Sequence, residues 1–203
     1  MKITLISGSH RAEAQTLKVA RHIQRTLEQG ICEETALVNL ADNPLPLWDT
    51  GVWDGDAQWQ RRLDPIRAEL AASDGFVVLA PEWHGQVPAG LKNFFLLFGQ
   101  QELGHKPALI VTVSAGDGGA YPVAELRMSS YKNSRICYLP EQVIVRHVES
   151  VLNEDSASNN ASADEYFRAR LAWALGILRE YALALRQVRA SGATATERFR
   201  NGM

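Results

Sequence analysis

The sequence predicts an α/β protein, a parallel sheet covered by helices on both faces in three layers. Two observations carry this expectation. Short apolar runs alternate along the chain with stretches of helical periodicity, the pattern of strand–crossover–strand units. The middle run, Phe76 to Ala80, has no polar interruption, as a strand buried on both faces requires.

Element by element, Ile3 to Ile6 reads as a first strand ending at Ser7-Gly8-Ser9. Leu17, Ala20, Ile23, Gln24 and Leu27 then recur at helical spacing, and Gly30 stops that helix. Thr35 to Leu40 reads as a second strand, followed by a Pro-, Asp-, Gly- and Trp-rich loop from Ala41 to Gly55. Trp59, Leu63, Ile66 and Leu70 mark a second helix, closed by Ser73-Asp74-Gly75, and Phe76 to Ala80 follows as the third strand. Ala89 to Phe98 forms a third helix and Ala108 to Ser114 a fourth strand. A glycine-rich turn, Ala115 to Ala120, leads to helical residues around Glu125 to Tyr131. Gln142 to Val148 is the expected fifth strand. Asn153 to Asp164 reads as a polar, mobile loop. Ser162 with Glu165 three residues later resembles a capping box that starts a long last helix, striped with Phe167, Leu171, Ala174, Leu178, Leu185 and Val188. The expected organisation is one domain over residues 1–190 and a tail over 191–203, frayed after Gly192.

At 203 residues the chain can bury a sizeable core without staples. With 46% hydrophobic residues, 22% charged residues and a net charge of −2, there is no electrostatic reason to expect nucleic acid or an anionic membrane as partner. Cys32 and Cys137 stand far apart, without metal-ligand spacing, and read as buried free thiols. The N-terminus lacks the pattern of a signal peptide, and no apolar run approaches the roughly 20 residues that span a bilayer. The expected location is the cytoplasm.

Three corners could carry chemistry. Gly8-Ser9-His10-Arg11 follows the first strand and precedes a helix, whose start exposes unpaired N–H groups and a positive dipole end. Ser9 offers a hydroxyl and Arg11 a fork suited to phosphate, with Gln15 and Thr16 one turn on. The same residues also make an ordinary tight turn with a serine cap and a surface arginine. It is neither a Walker loop nor a dinucleotide fingerprint.

The second corner, Leu79 to Phe98, combines prolines (Pro81, Pro88), flat side chains (Trp83, His84) and an amide (Gln86). Backbone N–H groups of Glu82 to Gly85 could face the polar edge of a ring whose face Trp83 or His84 flanks. A lone histidine there is more often a turn residue than an acid or base, and Glu82 has no partner carboxylate at a useful spacing. The third corner, Ser114 to Ala120, has glycines at 116, 118 and 119, which let backbone approach a ligand closely. Its plain alternative is a flexible loop with Gly116 and Gly119 in left-handed turns. All three corners follow strand ends and converge at the carboxyl edge of one sheet.

GSHRAEAQT, PEWHGQVPAGLKNFFLLF and SAGDGGAYPVAELR together resemble the three signatures of the NADPH-dependent FMN reductase family. These are a GSxRxxS phosphate turn, a PEYN- or PEYH-type segment ending in LKN, and an S-x-G-x-x-G-G loop, in the same order over residues 1 to about 185. The resemblance implies a flavodoxin-like three-layer sandwich, a five-stranded parallel sheet of order 2-1-3-4-5. It also implies non-covalent FMN, NADPH or NADH as co-substrate, and a small-molecule electron acceptor: a quinone, azo compound, metal oxyanion or free flavin. Ser9 and Arg11 would bind the FMN phosphate, with Gln15 and Thr16 assisting. Pro81, Glu82, Trp83 and His84 would line the ring and ribityl chain, and Ser114, Gly116, Gly118 and Gly119 would close the ring edge.

The hydride would pass through flavin N5, so no side chain is singled out as catalytic and no metal is expected. Ala14 stands where the family commonly has a serine, and Trp83 where it has a tyrosine. Two other readings fit the same residues: an FMN carrier or redox sensor without fast turnover, and a flavin-free interaction protein on a decayed reductase scaffold. The Trp-rich loop Leu47 to Trp59 and the Phe94 to Phe98 run offer more aromatic surface than one helix face buries. The alternative is that Phe95 and Phe98 complete the core. Members of the family are commonly dimers or tetramers, which makes a homodimer or homotetramer the expected state.

Overall fold

A computed structural model describes residues 1–195 and 197. Five strands, β1 (Lys2–Ser7), β2 (Glu34–Asn39), β3 (Gly75–Pro81), β4 (Pro107–Val113) and β5 (Cys137–Val145), form one all-parallel sheet in the order β2-β1-β3-β4-β5. The helices are α1 (Gln15–Glu28), α2 (Gly51–Asp54), α3 (Ala57–Ala72), α4 (Ala89–Leu97), α5 (Gln100–Leu103), α6 (Ala120–Ser129) and α7 (Ala161–Ala190). The predicted three-layer sandwich and strand order are both present. Order reverses at β1, where β2 lies on one side and β3 on the other, so the loops after β1 and β3 open a crevice at the carboxyl edge.

β3 and β4 are buried along their whole lengths because a helical layer covers each face. On one face Val19, Ala20, Ile23 and Leu27 of α1 pack with Leu171, Leu175 and Leu178 of α7 over Ile3, Leu5, Val77 and Val111. On the other, Leu63 and Leu70 of α3, Leu91 and Phe94 of α4, and Leu126 of α6 cover Ile6, Phe76, Val78 and Ile110. This alternation of inward residues along each strand makes both faces of the central strands apolar.

Four expectations need correction. The fifth strand runs from Cys137 to Val145 rather than from Gln142 to Val148. Pro140 interrupts the apolar pattern, but β5 is an edge strand, where a missing N–H is tolerated, and its register against β4 slips between Ala108 and Ile110. The strand ends early because His147, at φ 48°, turns the chain into a single 3-10 turn at Val148–Ser150. Secondly, α7 is capped by Asn160, whose side chain accepts from Ala163 N at 3.2 Å; the Ser162 hydroxyl instead donates to that same Asn160 oxygen. The preceding polar stretch is tied down by its own Asx side chains, for Asn153 N and Nδ2 both donate to Asn159 Oδ1. Thirdly, Cys32 and Cys137 are free but only half-buried, and burial pushes both thiols up from their ordinary pKa. Finally, the helix after the glycine turn begins at Ala120, not near Glu125.

Within the Phe94 to Phe98 run, Phe94, Leu97 and Phe98 are buried and Phe95 half-buried, while Leu96 faces outward. Phe98 therefore completes the core, and Trp59 does so in the Trp-rich loop, leaving Leu47 and Trp53 exposed. Asn93, the last residue of the LKN triplet, is buried. Its Nδ2 donates to Pro46 O and its Oδ1 accepts from Trp48 N, both at 2.8 Å, pinning the long loop onto α4. No described helix is long and apolar enough to cross a membrane. The frayed tail expected after Gly192 falls mainly on residues 196 and 198–203, outside the described residues.

Burial, with Arg168 and Arg25 nearby, lowers the His22 pKa from 6.5 to about 4. Above pH 6.5 the ring is neutral in folded and unfolded chains alike. As pH falls from 6.5 towards 4, only the unfolded chain takes up the proton, so stability declines, by at most about 3 kcal/mol at 1.36 kcal/mol per unit. Urea unfolding across this range checks it, and the slope flattens in His22→Gln.

Candidate functional site

The first corner is set by close backbone contact. Gly8 N donates to Leu79 O at 2.9 Å, and a Cβ on Gly8 would come within 2.6 Å of both that oxygen and Leu91 Cδ2. Only glycine lets β1 leave the sheet so close to β3. Ser9, next in line, is buried with its hydroxyl accepting a long contact from Arg11 N at 3.4 Å, and Arg11 is exposed. α1 then begins with Ala14 at its N-cap, extended and with no side chain to cap it. Leu17 N and Lys18 N bond to Ala14 O, while the Gln15 and Thr16 N–H groups take no partner among the described residues. Those two donors and the positive end of α1 border a cavity of about 190 Å³ together with Ser9, Arg11, Pro81 and Trp83.

The second corner is a two-residue hairpin. Trp83 N donates to Gln86 O at 3.1 Å and Gln86 N to Trp83 O at 2.9 Å, with His84 at φ 49° and Gly85 at φ 70° between them. Two left-handed residues in succession make a type I′ turn. Glu82 N continues the sheet by donating to Val113 O at 3.0 Å. The expectation that N–H groups from Glu82 to Gly85 face a ligand is therefore halved: the hairpin and the sheet take those of Glu82 and Trp83, leaving His84 and Gly85. The Trp83 ring stands edge-on to His10, centroids 4.5 Å apart at 83°. His10 Nδ1 is buried without a hydrogen-bond partner, against Gly90 at the start of α4. His84 is exposed at the turn tip and pairs with no acid or base among the described residues.

The third corner is held from several sides. Glu82 Oε2 accepts from Gly119 N at 2.7 Å, Thr112 Oγ1 donates to Gly119 O at 2.7 Å, and Arg146 Nε donates to Gly118 O at 2.9 Å. Gly119 sits at φ 101°, and a Cβ there would meet Ile144 Cγ2 at 2.4 Å. Gly116 has an ordinary φ and open space where a Cβ would lie, so of the two expected left-handed turns only Gly119 makes one. Ser114 Oγ accepts from Gly116 N at 3.2 Å, and His147 Nε2 meets Asp117 Oδ1 at 2.8 Å. The loop is clamped rather than flexible, and its Gly119 N–H is already committed.

All three corners reach one edge of the sheet. Ser9, Arg11, Gln15, Thr16, Pro81, Glu82 and Trp83 share the cavity; His84, Ser114, Gly116, Gly118 and Gly119 lie on its flanking turns. Sequence reasoning missed Val148 and Glu149, which also line the cavity. They arrive because the chain folds back at His147 and because Lys18 Nζ donates to Val148 O, Val151 O and Asn153 Oδ1 at 2.6–2.9 Å. A lysine inside a helical pattern carries no signal of that role. His10 was quoted only as part of its motif, and its contact with Trp83 joins residues 73 positions apart.

An uncapped helix start beside a buried serine and a flat indole at the switch point of a doubly wound sheet, with a clamped glycine loop at the end of the next strand, suits a phosphate-bearing, planar cofactor. Comparison with known proteins supplies the family. The family model described as NADPH-dependent FMN reductase matches residues 1–150, and the chain belongs to this family. It is 28% identical over 159 residues to the NADPH azoreductase of Bacillus sp. (strain OY1-2), an alignment covering 77% of this chain and 84% of that protein. It is 31% identical over 124 residues to the quinone reductase of Escherichia coli (strain K12), covering 59% of this chain and 64% of the relative. The flavoenzyme FerB, an NAD(P)H:(acceptor) oxidoreductase from Paracoccus denitrificans, shares the fold with a TM-score of 0.71 at 20% identity, over 90% of this chain and 97% of that one. The chain is thus an NAD(P)H-dependent oxidoreductase with FMN as its cofactor. Its residues fit that group: the Gln15 and Thr16 N–H groups at the positive end of α1 are donors suited to a phosphate, and Ala14 has no side chain to cap them.

Ala14→Ser restores a capping hydroxyl to α1. Without added flavin it should raise stability by about 1 kcal/mol, the usual difference between Ser and Ala at an N-cap, read as an increased urea midpoint. An unchanged midpoint would show that those donors are satisfied some other way.

Proposed function

We propose that this chain binds FMN non-covalently across the three corners and reduces a quinone or azo compound with electrons from NADPH or NADH. Metal oxyanions and free flavin belong to the same class of acceptors that reach an open ring face. The observation that carries the reading is the unpartnered N-terminus of α1, beside buried Ser9 and exposed Arg11. Ser9, Arg11 and the N–H groups of Gln15 and Thr16 hold the phosphate, where charge-assisted bonds and the helix dipole act together. Pro81, Trp83 and His84 wall the ring and ribityl chain, while Ser114, Gly116 and Gly118 close its edge over Glu82 and Gly119. FMN held by these residues would supply the two-electron redox chemistry between nicotinamide and acceptor. The protein positions the partners and presents backbone dipoles to the polar ring edge. The names of the aligned relatives, an azoreductase and a quinone reductase, support the acceptor class.

In this reading residues 1–190 are the working domain and 191–203 a tail, and the protein acts in the cytoplasm as a homodimer or homotetramer. Leu96 of α4 and Tyr121 and Met128 of α6 are exposed apolar side chains, and Tyr and Met are enriched at interfaces. The ideal Cβ position of Gly85 lies 3.9 Å from Tyr121 Cδ2, so a second copy packed against Tyr121 would stand beside the Trp83 hairpin.

Purified protein titrated with FMN should show flavin absorbance that co-elutes with it, and should consume NADPH or NADH when a quinone or azo dye is added. Neither binding nor consumption would end the proposal. Arg11→Ala should weaken FMN binding by about 10- to 100-fold, the value of a charged hydrogen bond of roughly 1.5–3 kcal/mol. Light scattering after size exclusion reports the assembly; a monomer at micromolar concentration contradicts the oligomer.

A further inference from the structure

Glu82 does not behave as a simple wall of the cavity. One carboxylate oxygen, Oε2, accepts from Gly119 N at 2.7 Å. The other, Oε1, lies 2.7 Å from where a Cβ on Gly118 would be, so the carboxylate packs directly against the glycine loop. The loop is fixed from other sides by Thr112 and Arg146, but those bonds hold carbonyls; Glu82 holds an N–H. The residue is half-buried, and no lysine, arginine or histidine among the described residues pairs with it.

We propose that Glu82 is a positioning residue with an electrostatic role: it anchors the glycine loop through Gly119 N–H, and its negative charge, paired with no cation among the described residues, disfavours adding electrons to the bound cofactor. This inference rests on FMN occupying the three corners as proposed above. A neutral amide oxygen would accept the same N–H, so the anchor alone does not require a charge. A carboxylate makes a stronger bond, and a half-buried one, only partly screened by water, also projects negative potential into the cavity. Reduction adds negative charge to the flavin, so a carboxylate beneath the loop lowers its midpoint potential. Bound FMN is thereby kept a strong reductant, as delivery of electrons to a range of acceptors requires. Arg11, in the cavity wall, and Arg146, bonded to Gly118 O, oppose this effect; both are unchanged when only residue 82 is altered.

The full-length chain, Glu82→Gln and Glu82→Ala separate the two parts. Glu82→Gln keeps an acceptor for Gly119 N–H but removes the charge. Its amide exchange at Gly119 in the flavin-free protein should stay within about threefold of wild type, while the midpoint potential of bound FMN becomes less negative. Glu82→Ala removes both, so exchange at that amide should accelerate about tenfold or more, with FMN affinity falling in parallel. An unshifted potential in Glu82→Gln overturns the electrostatic role, and unchanged exchange in Glu82→Ala overturns the anchor. If the wild type binds no FMN, the functional reading fails and the electrostatic role falls with it, while the exchange comparison still decides the anchor. If Glu82→Ala does not fold, accelerated exchange in Glu82→Asp, whose shorter side chain withdraws the acceptor, supports the anchor and unchanged exchange there overturns it.

Discussion

Gly8 gives its N–H to Leu79 O at 2.9 Å, and the geometry of the whole site follows from that approach. β1 and β3 are neighbours at the point where the sheet order reverses, so the loops leaving them diverge to either side and leave a crevice between. Because Gly8 has no Cβ, the phosphate turn starts against the β3 backbone and the Leu91 side chain of α4. The same closeness puts His10 on Trp83 and on Gly90, tying the first corner to the hairpin and to the helix after it. A side chain at position 8 would have to push these two walls apart.

Backbone groups decide more of this site than side chains do. The sheet takes Glu82 N, the hairpin takes Trp83 N, and Glu82 takes Gly119 N. Among the donors left without a partner in the described residues are those at the start of α1 and at the turn tip, His84 and Gly85. Ala14 makes the first of these unusually open, since a serine there would satisfy one donor itself. The substitution therefore has two opposed consequences: it removes a hydroxyl that could bind phosphate, and it leaves a main-chain donor free to do so. Trp83 likewise keeps a flat surface while its edge-on contact with His10 fixes the ring from behind.

Much of the fold was legible because its signals are local. The uninterrupted run at Phe76 to Ala80, the helical stripe from Leu17 to Leu27 and the glycines at 8 and 119 each state a physical requirement that the structure meets. Errors fell where competing local signals needed a neighbour to resolve them. Pro140 hid the start of β5, since only its place at the sheet edge makes a proline acceptable there. Ser162 and Glu165 matched a capping pattern, yet Asn160 lay two residues earlier and captured Ala163 N. The polar stretch from Asn153 onward looked unstructured because side-chain-to-backbone bonds leave no periodic trace.

The sequence by itself determined the alternation of elements, the three corners and the residue types that suit a phosphate and a flat ring, because each depends on spacing along the chain. Tertiary structure decided which donors stay free, that Glu82 grips the glycine loop, and that Val148 and Glu149 close the cavity through Lys18. Those are pairings between residues 37 and 130 positions apart. A hydrogen bond consumes a donor only when a particular acceptor arrives, and that arrival is set by how the layers pack, not by the order of residues.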